Sequence, residues 1–169
     1  MKYYIIILSL FAFISCKKQD AEKISAKQTE NDDIEVYNFE EFERFLKEEQ
    51  DQIYVINFWA TWCKPCIQEL PYFEAAQNKH KDVRVILVSL DFPNKLQSQL
   101  IPFVKKNSIQ SQVILLDDPH ENEWIPKVDS TWSGAIPATL MVKGSKRKFY
   151  ERSFNEKELE NEILNFKNL

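Results

Sequence analysis

The sequence predicts one α/β domain, a central mixed β-sheet with helices on both faces. Two nearly continuous apolar runs, "IYVINFWA" (53–60) and "VRVILVSLD" (83–91), read as central strands covered on both sides. Amphipathic segments alternate with the strands. Near the C-terminus "PATLMV" (137–142) and "RKFYER" (147–152) flank "KGSK", a turn signal that makes them a hairpin. The resulting order, β-α-β-α-β-α-β-β-α, is that of a layered α/β fold.

In chain order, "IEVYN" is a short strand, and Asn38 is placed to cap a helix "FEEFERFLKEEQ" with Phe39, Phe42 and Leu46 on one face. The strand at 53–60 leads to a helix over about 64–79, and the strand at 83–91 to a helix around 94–107. "QVILLD" (112–117) is the next strand. A polar and aromatic stretch, "DPHENEWIPKVDSTWSG", separates it from the hairpin, and a last helix (155–168) carries Leu159, Ile163 and Phe166 on one side.

A chain of 169 residues with 44% hydrophobic and 28% charged residues has room for one ordinary core. Its net charge of -4 lacks the basic footprint of a nucleic-acid binder, so no nucleic-acid partner is expected. Three cysteines are too few for a disulfide-stapled scaffold.

The start, "MKYYIIILSLFAFISCKKQD", joins one Lys to an apolar run from Tyr3 to Ile14 that is shorter than the roughly 20 residues of a membrane span. It matches the apolar region of a secretory signal peptide. Ser15-Cys16 resembles a bacterial lipobox, with Phe13 in place of the usual Leu. On that resemblance residues 1–15 are a lipoprotein signal peptide and Cys16 is the lipidated first residue of the mature chain. A plain signal peptide or an uncleaved anchor are the alternatives. The segment 16–33 has Ile24 as its only large apolar residue and reads as a flexible tether, with a reach of about 20–25 Å. The folded domain is expected over 34–169.

The remaining two cysteines stand in "FWATWCKPCIQELP". With a strand ending at Trp59 or Ala60 and a helix starting at the cysteines, Cys63 occupies a helix N-terminus. Unpaired N–H groups and the helix dipole favour a thiolate there. Lys64 adds a cation, and Pro65 suits a first turn. Cys66, one turn in, is near enough to resolve a mixed disulfide formed at Cys63. Zinc binding would need further ligands than His80 and His120, both expected at the surface. A purely structural disulfide closing so short a loop removes little unfolded-state entropy. Redox exchange is the preferred reading.

The set "VINFWATWCKPC", Pro71 five residues after Cys66, "VSLD" (88–91) and "GAIPATLMV" resembles the thioredoxin superfamily, and within it the TlpA/ResA-like envelope thiol–disulfide oxidoreductases, over roughly 34–169. The resemblance implies a thioredoxin-like fold, an attacking thiolate at Cys63 and a resolving thiol at Cys66. It implies a cis Ile136-Pro137 peptide facing the disulfide and a substrate surface of Trp62, Lys64, Pro65, Ile136 and Pro137. Glu69 matches an acidic residue near the cysteines that would move protons for the buried thiol; an exposed helix Glu is the competing reading. Asn57 stands where thioredoxin itself has a buried Asp. Trp59 is expected in the core, whereas Trp124 and Trp132 either wall a substrate groove or cover the sheet.

No metal and no organic cofactor are expected, because the Cys63-Cys66 disulfide carries the electrons. The implied location is the cell envelope, facing the periplasm and lipid-anchored. Implied partners are disulfide-containing envelope proteins, cytochrome c maturation components among them, and a membrane thiol electron donor. The alternative is a binding module or copper-handling protein using the same thiols as soft ligands. A peroxide-reducing relative would need a peroxidatic Cys in a different setting.

Overall fold

The computed structural model describes residues 34–48 and 52–169. The expected signal peptide (1–15), the expected lipidation at Cys16 and the expected tether (16–33) lie outside the described residues. Strands β1 (Glu35–Tyr37), β2 (Ile53–Trp59), β3 (Val83–Ser89), β4 (Gln112–Leu116), β5 (Ala138–Lys143) and β6 (Lys146–Tyr150) form one sheet in the order β1-β4-β3-β2-β5-β6. The β1–β4, β4–β3 and β3–β2 pairs are parallel; β2–β5 and β5–β6 are antiparallel. The sheet is therefore mixed, as expected.

Every residue of β2 is buried. Successive side chains of a strand point to opposite faces, so β2 feeds two cores. Ile53, Val55 and Trp59 join Val85, Leu87 and Met141 on one face, beneath α2 (Lys64–Lys79), α3 (Ile101–Lys106) and α5 (Glu156–Lys167). Tyr54, Ile56 and Phe58 join Ile86, Val88 and Leu140 on the other, beneath α1 (Phe39–Glu48) and α4 (Glu121–Val128). Asn57 follows the same parity and faces the α2 layer.

Local signals act where expected. Asn38 caps α1: its Oδ1 accepts from Glu41 N at 2.9 Å, while Glu41 Oε2 accepts from Asn38 N at 3.0 Å. Asn155 and Glu158 form the same reciprocal cap on α5. At the hairpin Gly144, at φ 58°, makes the turn between the paired Lys143 and Lys146.

Three expectations change. The helix expected at 94–107 is broken into a 3-10 turn (Pro93–Lys95), a wide π-type turn (Leu96–Leu100) and the short α3. Pro102 has no N–H to donate and is tolerated only in a first turn, so the regular helix starts late. The polar stretch after β4 contains a helix, α4, despite Pro126. It is held by packing rather than propensity: Trp124 stacks on Phe39 at 5.7 Å, and its Nε1 donates to Asp118 O at 3.2 Å. Trp124 and Trp132 are both buried in the α1/α4 core, where they cover the sheet.

His80 is the third. It is buried, whereas His120 is exposed as expected. Its Nδ1 accepts from Lys167 Nζ at 3.1 Å, which leaves Nε2–H to donate to Glu160 Oε2 at 3.0 Å. Packing of α5 against α2 covers the end of α2, where His80 sits.

Phe42 is fully buried and meets Phe58 edge-on at 6.1 Å. Phe42→Ala should therefore cost about 3–5 kcal/mol in urea unfolding. Because the cysteines lie on the opposite face, the disulfide exchange of the folded fraction should be retained.

Candidate active site

Parallel β2 and β3 end side by side, Trp59 opposite Ser89. The chain leaves β2 at Ala60, whose carbonyl accepts from Cys63 N at 3.0 Å, and enters α2 at Lys64. Cys63 is the N-cap, in extended conformation at φ -87°, and its Sγ accepts the Cys66 N–H at 3.3 Å. A donor aimed at that sulfur, together with the helix N-terminus, favours a thiolate once the bond is reduced. In the structure Cys63 and Cys66 are disulfide-bonded, S–S 2.03 Å and Cα–Cα 5.3 Å. Cys63 retains 6% exposure and Cys66 none, so an incoming disulfide meets Cys63 first.

The expected neighbours assemble around this bond. Ile136-Pro137 is cis, and Ile136 O lies 3.8 Å from Cys63 Sγ. Gly134, at φ 92°, turns the chain into that loop; a Cβ there would come within 3.2 Å of Ile125 Cδ1. Pro137 is buried and Ile136 half-buried, while Trp62, Lys64 and Pro65 are exposed beside the cysteines. Trp59 is fully buried, as expected. Pro71 lies inside α2, where it cannot donate to Ile67 O.

Glu69 is buried, which removes the exposed-helix reading. It shares a face of α2 with Cys66, three residues earlier. Its Oε1 accepts from Asn57 Nδ2 at 2.9 Å, and its Oε2 from Phe154 N at 2.7 Å. Burial disfavours the ionised carboxylate; the Phe154 N–H, the Asn57 amide and the more distant Arg152 guanidinium favour it. Burial prevails, and the Glu69 pKa is pushed up to about 7. A solvent-reaching hollow of about 420 Å³ lies between Pro65, Glu69 and Phe154.

Two contributors went unread in the sequence. The backbone of Phe154 holds Glu69 from the turn before α5, and no side-chain pattern announces a backbone donor. Asp91, quoted above only as the end of "VSLD", is buried, and its carboxylate accepts from Thr61 N at 3.0 Å, Thr61 Oγ1 and Ser89 Oγ at 2.8 Å. It fixes the loop that delivers Cys63. A lone acid following an apolar strand was the available signal. Among the described residues no three His, Cys, Asp or Glu side chains gather into a metal-binding group.

The raised Glu69 pKa predicts a pH dependence. Between its unfolded value, about 4.3, and its folded value, about 7, the native state holds a proton that the unfolded chain lacks. Stability from this group is full below the unfolded pKa and falls as pH rises through the window, by up to about 1.4 kcal/mol per pH unit. Glu69→Gln should flatten that part of the profile in urea titrations at pH 4.5–8; an unchanged slope contradicts the assignment.

The family model described as AhpC/TSA matches residues 17–145. The sporulation thiol-disulfide oxidoreductase A of Bacillus subtilis is 30% identical over 121 residues, which is 66% of this chain and 67% of that protein. The thiol-disulfide oxidoreductase ResA of Oceanobacillus iheyensis is 34% identical over 91 residues, 53% of this chain but only 43% of the relative. Among solved structures, a thioredoxin-related protein from Neisseria meningitidis superposes with a TM-score of 0.62 at 20% identity, covering 73% of this chain and 91% of that one. A DsbF homologue from Corynebacterium diphtheriae gives 0.59 at 23%, covering 71% and 75%. These two likenesses establish the fold. The family model, which matches more than half of the chain, and the curated relative at 30% identity make this chain a member of the AhpC/TSA family, with a thioredoxin-like fold and the chemistry of a thiol–disulfide oxidoreductase.

Proposed function

We propose that the protein is exported, held at the membrane through lipid on Cys16, and reduces disulfides of envelope proteins. One observation carries the exchange chemistry: a disulfide capping a helix N-terminus, with its less buried sulfur beside the Ile136 carbonyl and the buried Glu69 carboxyl one turn beyond the other. In the reducing direction the Cys63 thiolate attacks a substrate sulfur, forming a mixed disulfide and releasing one substrate thiolate. Cys66 then attacks Cys63 Sγ, closing the 63–66 disulfide and releasing the second. Two electrons leave the dithiol, and the substrate disulfide becomes two thiols.

Glu69 takes up the Cys66 proton during resolution and returns it on re-reduction, a task suited to a group titrating near working pH. Trp62, Lys64, Pro65, Ile136 and Pro137 line the surface the substrate crosses. The disulfide itself is the redox group, so the reaction needs no other cofactor. A membrane thiol donor recharges the pair, and the tether keeps the domain within its reach. The curated relatives named as thiol-disulfide oxidoreductases support the exchange chemistry and name neither its direction nor a substrate.

Trapping tests the reading. Cys66→Ser leaves the attacking thiol and removes the resolving one, so in cells this variant should accumulate mixed disulfides with envelope proteins in the membrane fraction. These should be released by dithiothreitol and absent from Cys63→Ser. Equal trapping by both variants, or none by either, would contradict it.

A further inference from the structure

Two loops meet at Cys63, and each is gripped by a carboxylate in the same way. In the loop after β2, Thr61 gives both its backbone N–H and its hydroxyl to Asp91. In the loop before β5, Ser133 does the same to Glu151: Glu151 Oε2 accepts from Ser133 N at 3.0 Å and Oε1 accepts from Ser133 Oγ. Glu151 Oε1 also accepts from Ala135 N at 3.3 Å. Thr61 stands just ahead of Cys63, and Ser133 just ahead of Ile136. Between the two gripped loops Cys63 Sγ faces Ile136 O at 3.8 Å.

The hairpin brings Glu151 to that loop. Thr139, near the start of β5, pairs with Tyr150, the last residue of β6, and Glu151 follows it. The Ser133 hydroxyl, the Ser133 N–H and the Ala135 N–H hold its carboxyl below the usual carboxylate range, so it stays ionised and keeps accepting. From the core side, Trp132 Nε1 donates to Ala135 O at 2.8 Å. The peptide groups on both sides of Ala135 are thus pinned, and Ile136 comes next. Its carbonyl bears on the reduced state. The Cys66 N–H, 3.3 Å from Cys63 Sγ, favours the thiolate. A carbonyl oxygen at the same sulfur can accept only from S–H, so it favours the neutral thiol.

We propose that Glu151 is a positioning residue: by gripping Ser133 and Ala135 it keeps the Ile136 carbonyl against Cys63 Sγ and so holds back the attacking thiolate. The proposal rests on the dithiol reading above and adds a residue, from the far end of the hairpin, that tunes that dithiol. Lys64 and Glu69 of α2 and Asp91 after β3 are the other ionisable side chains on the elements around this sulfur. None of them is altered in the test.

The test uses the full chain in reduced form, alkylated with iodoacetamide across a range of pH. Mass spectrometry reads the Cys63 peptide separately from Cys16 and Cys66. Glu151→Ala should raise the thiolate-to-thiol ratio of Cys63 about fivefold, the weight of one ordinary hydrogen bond. Glu151→Gln loses the charge but keeps an oxygen for the Ser133 N–H and an amide for its hydroxyl, so it should stay close to wild type. Ser133→Ala keeps the charge and loses part of the grip, so it should move the ratio the same way as Glu151→Ala, by less. If Glu151→Ala does not fold, Ser133→Ala decides in its place. An unchanged ratio in the deciding variant overturns the positioning role. So does a Glu151→Gln ratio equal to that of Glu151→Ala, which would mean that only the charge acts. Failure of the wild type to reduce hydroxyethyl disulfide overturns the dithiol reading itself.

Discussion

Strand β2 has no solvent face, and the rest of the molecule is arranged around that constraint. Buried on both sides, it must pair on both edges, in parallel with β3 and antiparallel with β5. At its C-terminal end the chain emerges between the two helical layers. Cys63 caps the helix that starts there. The β3 end supplies Asp91 to hold the exit loop, and the loop before β5 supplies Ile136-Pro137. The site is the point where three strands stop together.

The same strand explains why a buried acid is tolerated. Asn57 faces the α2 layer by parity with Val55 and Trp59, and its amide donates to Glu69. An Asp there would place a second carboxylate against the first, and one of them would have to stay protonated. With Asn, the only titrating group in this buried pair is Glu69. The two N–H donors limit the cost of its charge without overcoming burial, so its proton is exchangeable near neutral pH.

Much of this was legible in the sequence where burial and caps are properties of neighbouring residues. The two central strands, the Asn38 cap, the hairpin and the helix entry at Cys63 all rest on local runs. What escaped depends on residues far apart in the chain. The α4 helix is short, contains Pro126 and exists because Trp124 finds Phe39. His80 is buried only because α5 returns over α2. Glu69 was equally consistent with a solvent face until Phe154 and Asn57 closed on it. The cis peptide at Ile136-Pro137 was implied by family resemblance, since base rates alone favour trans.

In the proposed reaction the Cys63–Cys66 pair gives electrons to substrates instead of taking them. The most direct test is its equilibrium reduction potential at pH 7, titrated in the full-length protein against dithiothreitol and glutathione buffers. A reductant should show a value near the thioredoxin end of the scale, about -270 mV. A value near the strongly oxidising end, about -120 mV, would make the protein a disulfide donor and contradict that reaction.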